Sequence, residues 1–146
     1  MCHKSCVAFG RRAIAREDIE NKSVMEVGSL NVNGSLRQDV ERFKPIKYVG
    51  VDISNGPGVD IVCNATEIVN KFGKESFDFV ISTELLEHVE DWRQVISNIK
   101  NICKPNGIII ITTRSKGCPY HAYPYDFWRY EIDDMKAIFS DCGILT

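Results

Sequence analysis

The sequence has no apolar run approaching the roughly 20 residues that a membrane-crossing helix needs, and no apolar segment behind its N-terminus. No membrane partner is expected, and the expected location is the cytoplasm. A basic stripe is missing too. The 18 Lys and Arg are outweighed by 20 Asp and Glu, and they are scattered, so the surface a nucleic-acid binder uses to displace counterions is excluded. Low-complexity segments and internal repeats are absent, and a hydrophobic fraction of 44% over 146 residues is what one globular domain requires. Without a secretion signal the six cysteines are expected as reduced thiols, Cys63 and Cys103 among them on core elements. Cys2, His3 and Cys6 could form half a zinc site, but no second pair at matching spacing completes it, and no metal is expected. Residues 1–22 read as an N-terminal arm or helix and residues 23–146 as the domain proper.

What is present is an alternation of strands and helices. Residues 23–27 read as a strand ending on Gly28, followed by a polar turn and a helix over residues 36–43, which Pro45 stops. Residues 48–53, 60–63 and 77–82 read as further strands, with a short amphipathic helix over residues 66–72. Trp92, Val95, Ile96, Ile99 and Ile102 recur at helical spacing, and the Lys-Pro-Asn-Gly sequence at residues 104–107 is expected to end that helix. Four consecutive isoleucines mark residues 107–113 as a fifth, central strand. Residues 131–139 read as a last helix and residues 143–146 as the start of another strand. This order implies an α/β, Rossmann-like, doubly wound and mostly parallel sheet, with the site at the carboxyl ends of its strands.

The turn after the first strand reads Glu-Val-Gly-Ser-Leu-Asn-Val-Asn-Gly from Glu26 to Gly34, and Leu30 and Asn33 stand where a dinucleotide fingerprint has its second and third glycines. A carboxylate at Glu26 would repel a pyrophosphate and suit a ligand carrying an ammonium. Gly28 would let the backbone approach that ligand closely. Asp52, closing the second strand, is placed where two adjacent ribose hydroxyls can donate to one carboxylate.

Those residues, with Asn64-Ala65 after the third strand and the Ser82–Val89 block after the fourth, resemble the class I S-adenosylmethionine-dependent methyltransferases, especially the group labelled methyltransferase type 11. The resemblance runs from Ser23 to Leu145. It implies that S-adenosylmethionine is bound by Glu26, Gly28, Ser29, Asp52, Ile53, Asn64, Ala65, Thr83 and Glu84. The family pair Asp-Ala is Asn64-Ala65 here, which loses a charge but leaves an oxygen able to accept from the adenine amino group. The family usually finishes its sheet with a further pair of strands, which this chain does not reach before Thr146. An edge left open in that way invites a homodimer.

Methyl transfer from a sulfonium needs alignment and, for some acceptors, a base. His88 and Glu84 are the catalytic candidates. The aromatic-rich segment at residues 114–130 is expected to act as an acceptor lid, with His121, Tyr123, Asp126 and Arg129 touching a small-molecule or sugar-like acceptor and Phe127 and Trp128 plugging the core. Two other readings share much of this pattern: a non-catalytic nucleoside-binding or interaction module, and an NAD-dependent oxidoreductase lacking its usual glycines.

Overall fold

A computed structural model describes residues 4–122 and 124–145. Its sheet has five parallel strands, β1 (Ser23–Val27), β2 (Lys47–Asp52), β3 (Ile61–Val62), β4 (Phe77–Thr83) and β5 (Cys103–Thr112), in the order β3-β2-β1-β4-β5. The chain builds outward from β1 through β2 to β3, then returns to the other side of β1. The strand order therefore reverses between β1 and β4, and a parallel sheet opens its ligand crevice at such a point.

Helices cover both faces. Helices α1 (Lys4–Ala13), α2 (Arg16–Ile19) and α3 (Arg37–Glu41) lie on one side, where Ile14, Ile19, Leu36 and Val40 pack with Val24, Phe79 and Ile81. Helices α4 (Ile68–Phe72), α5 (Trp92–Ile102) and α6 (Ile132–Ile138) lie on the other. There Ile68, Val95, Ile99 and Ile102 pack with Met25, Val27, Val49 and Val51, and Met135 and Ile138 lean on the same cluster. The period-two alternation of β1 divides these cores: Val24 points to the first, Met25 and Val27 to the second. Gly10 is where α1 meets α3, since a Cβ there would lie 2.4 Å from a Leu36 methyl carbon.

Three expectations are corrected. The isoleucine strand stands at one edge of the described sheet, not at its centre. Its Ile108, Ile109 and Ile111 are accordingly only half-buried while Ile110 is buried. Residues 104–107 do not simply separate helix from strand. Cys103 already pairs with Phe77 and Ile108 with Phe79, so the Lys-Pro-Asn-Gly segment is looped out as an irregularity within β5, with Asn106 at φ 61°. Residues 143–145 form no strand. No helix among the described residues is long and apolar enough to cross a membrane.

Candidate active site

A cleft of about 390 Å³ opens at the carboxyl ends of β1, β2 and β4 and is lined by Gly28, Asp52, Ile53, Asn64, Ala65, Glu84 and His88. A broader, more open groove of about 510 Å³ runs between α5 and α6, away from the strand ends and from every predicted site residue.

The β1 turn is held by its own amides. Gly28 N–H and Ser29 N–H both donate to the Val51 carbonyl, at 2.9 and 3.0 Å, and Asn31 N–H donates to that of Pro57 at 2.8 Å. Leu30 N–H donates to Asp52 Oδ2 at 3.2 Å. A pyrophosphate binds through bare amides at such a turn, and residues 28–31 have none to offer. Gly28 sits at φ +81°, and a Cβ there would lie 3.1 Å from Leu85 Cδ1. Only glycine meets both conditions without strain. Asp52 faces the cleft with Oδ1 accepting from Ser54 N–H at 3.0 Å, so its position is fixed by two backbone donors while lone pairs remain on both oxygens. That acceptor set fits the hydroxyls of a ribose.

Glu26, Ser29 and Thr83 are buried and do not line the cleft. Glu26 shares the strand face of Val24, because side chains alternate, and its carboxylate accepts from the Tyr48 hydroxyl at 2.6 Å. Burial pushes its carboxyl up to about 7, against the opposing pull of that hydrogen bond. A group that is partly neutral near pH 7 repels a phosphate weakly. The case against a pyrophosphate therefore rests on the occupied amides and missing glycines, not on charge. Asn64 is on the cleft wall, but its Oδ1 caps the short 3-10 turn at Ala65–Glu67 by accepting from Thr66 N–H at 3.0 Å, leaving one lone pair for a ligand.

At the end of β4 the chain turns sharply. Glu84 adopts φ +53°, a conformation that costs a non-glycine residue roughly 1–2 kcal/mol, and its N–H donates to the Thr112 carbonyl at 2.9 Å. Its carboxylate lies 3.2 Å from Arg114 Nε. Behind it Glu87, fully buried, accepts from Thr113 Oγ1 at 3.0 Å. Burial pushes the Glu87 carboxyl up, and the neighbouring Glu84 adds to this. His88 directs Nδ1 at the Tyr125 carbonyl, 2.6 Å away, and its ring centroid lies 6.0 Å from that of His121.

The residue 114–130 segment closes over this turn. Phe127 N–H and Trp128 N–H reach the Glu87 carbonyl at 2.7 and 3.3 Å, and Trp128 Nε1 donates to the Val89 carbonyl at 2.8 Å. Phe127 and Trp128 do not plug the core: they are 41% and 38% exposed, and Phe127 joins Pro124 and Tyr125 at the cleft mouth. Asp126 and Arg129 are engaged with each other. Arg129 Nη2 lies 2.6 Å from Asp126 Oδ2, Nη1 contacts Oδ1, and Nη2 also donates to the Pro119 carbonyl at 2.9 Å. The Arg129 hydrogen bonds hold the Asp126 carboxyl at about 2. The pair shapes the loop and leaves neither side chain open to the cleft. His121 N–H donates to Asp126 at 2.6 Å, and burial, with Arg114 and His88 nearby, holds its imidazole below the usual range. Tyr123, Cys2 and His3 lie outside the described residues; among those described, no three His, Cys, Asp or Glu side chains are grouped to hold a metal ion. Sequence reasoning passed over Glu87 and Arg114. The two-carboxylate spacing of Glu84 and Glu87 was the one signal that could have drawn attention to them.

The methyltransferase domain family matches residues 6–139. The chain is 28% identical over 123 residues to a ubiquinone biosynthesis O-methyltransferase of Rhizobium etli, covering 75% of this chain and 48% of the relative. It is 36% identical over 109 residues to phosphoethanolamine N-methyltransferase 2 of Caenorhabditis elegans, covering 66% of this chain and 24% of the relative. The chain thus spans between about a quarter and a half of the curated relatives it matches. Among solved structures, a SAM dependent methyltransferase from Archaeoglobus fulgidus superposes with a TM-score of 0.74 at 17% identity, over 94% of this chain and 67% of the other. The phosphoethanolamine N-methyltransferase 2 of Haemonchus contortus, in complex with S-adenosyl-L-methionine, does so with a TM-score of 0.64 at 20% identity, over 91% and 34%. With its fold, its strand-end cleft and a family match across most of its length in agreement, the chain belongs to the class I S-adenosylmethionine-dependent methyltransferases.

Proposed function

We propose that this chain catalyses methyl transfer from S-adenosylmethionine to a small-molecule acceptor bearing a hydroxyl or amine, a sugar-like compound included. The observation that carries the reading is the turn at residues 28–31, whose amides are all engaged beside an outward-facing Asp52. Asp52 would hold the ribose hydroxyls, Gly28 would admit the methionine portion, and Ile53, Ala65 and Asn64 would flank the adenine. Glu26, lying under the turn, would act on the ammonium only through intervening groups. The cofactor supplies a methyl group already activated on a sulfonium, so the protein's work is alignment, exclusion of water by the residue 114–130 segment, and removal of the acceptor's proton. His88 is the base we assign to that proton. Two relatives act on small molecules by their names, which supports an acceptor of that size.

Calorimetry with S-adenosylhomocysteine and with NADH tests the cofactor assignment. Binding of the first, weakened by Asp52→Ala, is expected, and tight NADH binding without it would overturn the proposal. Transfer of labelled methyl from S-adenosylmethionine to a catechol and to phosphoethanolamine then separates O- from N-acceptors.

A further inference from the structure

The charged groups around the cleft are of one sign. Among the described residues that line it, Asp52, Glu84, Glu90 and Asp91 carry carboxylates, and no Lys or Arg is present. The guanidinium groups beside the turn after β4 are already engaged: Arg114 is shared by Glu84 and Glu87, at 3.2 and 3.7 Å, and Arg129 is paired with Asp126. His88, the one basic side chain on the described wall, has Nδ1 2.6 Å from the Tyr125 carbonyl. A phosphate or carboxylate entering the cleft would meet like charges with no cation to offset them.

The side of the cleft away from Asp52 is apolar, with Leu85, Val89, Pro124, Tyr125 and Phe127 lining it around His88. Tyr125 and Phe127 are 62% and 41% exposed, their ring centroids 5.6 Å apart and their planes tilted by 39°. Rings standing in water at a cleft mouth are apolar surface that a ligand can cover. Main-chain bonds set where they stand: Phe127 N–H donates to the Glu87 carbonyl at 2.7 Å, and the Tyr125 carbonyl meets His88. The ring pair is therefore in register with the turn after β4. A sugar placed against this wall would leave most of its hydroxyls unpaired.

Resting on the methyl-transfer reading, but not on which group removes the proton, we propose that the acceptor is an uncharged phenol whose ring lies against Tyr125 and Phe127, and that the acidic cleft rejects anionic acceptors. The two rings supply offset or edge contacts to a third, which an aliphatic acceptor cannot match. The phenolic hydroxyl, as a donor, suits a wall whose charged groups are carboxylates that can only accept. Tyr125 and Phe127 are thereby specificity-determining residues, and the lack of a free cation beside them is the second half of the selection.

Calorimetry on the full chain saturated with S-adenosylhomocysteine tests this without requiring turnover. The probes are catechol, its carboxylate protocatechuate, the neutral methyl ester of that acid, and phosphoethanolamine, at neutral pH. Catechol and the ester should bind, and the two anionic probes should bind at least about tenfold more weakly. Phe127→Ala should weaken catechol by about tenfold with S-adenosylhomocysteine affinity unchanged. Phe127→Lys, which adds a cation at the mouth, should bring protocatechuate to at least the affinity of its ester. The proposal is overturned if catechol does not bind, if protocatechuate binds as tightly as its ester, or if phosphoethanolamine or glucose binds more tightly than catechol. Catechol affinity unmoved by Phe127→Ala overturns it as well. Failure of S-adenosylhomocysteine to bind the wild type would instead defeat the cofactor assignment, and the same probes titrated into the free chain would still read the ring site.

Discussion

On the β1–β2 side of the cleft, the residues proposed to hold the cofactor are fixed by short backbone bonds between adjacent strand ends, such as Gly28 N–H and Ser29 N–H to the Val51 carbonyl. On the β4–β5 side, the turn at Glu84–Val89 is held by a segment some 40 positions further along, through Tyr125, Phe127 and Trp128. The first wall is part of the sheet, and its geometry persists as long as the sheet does. The second is a clasp of individual hydrogen bonds between loops, each contributing about 1 kcal/mol, and can open without unfolding the core. Under the proposed function the first would be the cofactor wall and the second the acceptor wall.

The largest effect should come from the rigid wall. Gly28→Val combines positive φ with a contact near 3 Å to Leu85, so S-adenosylhomocysteine affinity should fall by about 100-fold or more in calorimetry. Glu26→Gln probes the layer beneath. An acid whose folded value of about 7 stands above its unfolded 4.5 binds more protons when folded. Stability is therefore fully present below 4.5 and declines as pH rises through 7. Replacement by Gln, which keeps an acceptor for Tyr48, should remove that decline, a difference on the order of 2–3 kcal/mol between pH 4.5 and 8 in urea titrations. Asp52→Ala should weaken S-adenosylhomocysteine by about 2 kcal/mol, roughly 30-fold, and, by freeing the Leu30 and Ser54 amides, lower stability by about 1 kcal/mol. The smallest effect belongs to the clasp. Trp128→Phe removes the bond to the Val89 carbonyl and should raise amide exchange in residues 114–130 by about 1 kcal/mol, with no change in S-adenosylhomocysteine affinity. Equal exchange in the two proteins would show that the Trp128 bond does not hold this segment closed.

Legibility follows the same division. All five strands and their parallel direction, but not the edge position of β5, could be read from apolar runs and the turns between them, as could Gly28 and Asp52 at the ends of two of those strands. Glu26 stands behind the cleft wall, and the rule that buries it was available: it is two positions from Val24 and so shares its face. Asp126 and Arg129 looked like acceptor contacts because both are charged in an aromatic loop. Nothing in their spacing reveals that each is consumed by the other.

By itself the sequence determined the period-two strands, the helical stripes that cover them, and hence the edge at which a site must open. Those are consequences of local backbone geometry and of which side chains leave water. Which side chains then meet there was decided only by tertiary structure: Glu87 with His88, Arg114 between two carboxylates, Trp128 on Val89. Each of these is a contact between segments remote in the chain or between groups set by a single strained turn at Glu84, and no periodicity encodes how two loops meet.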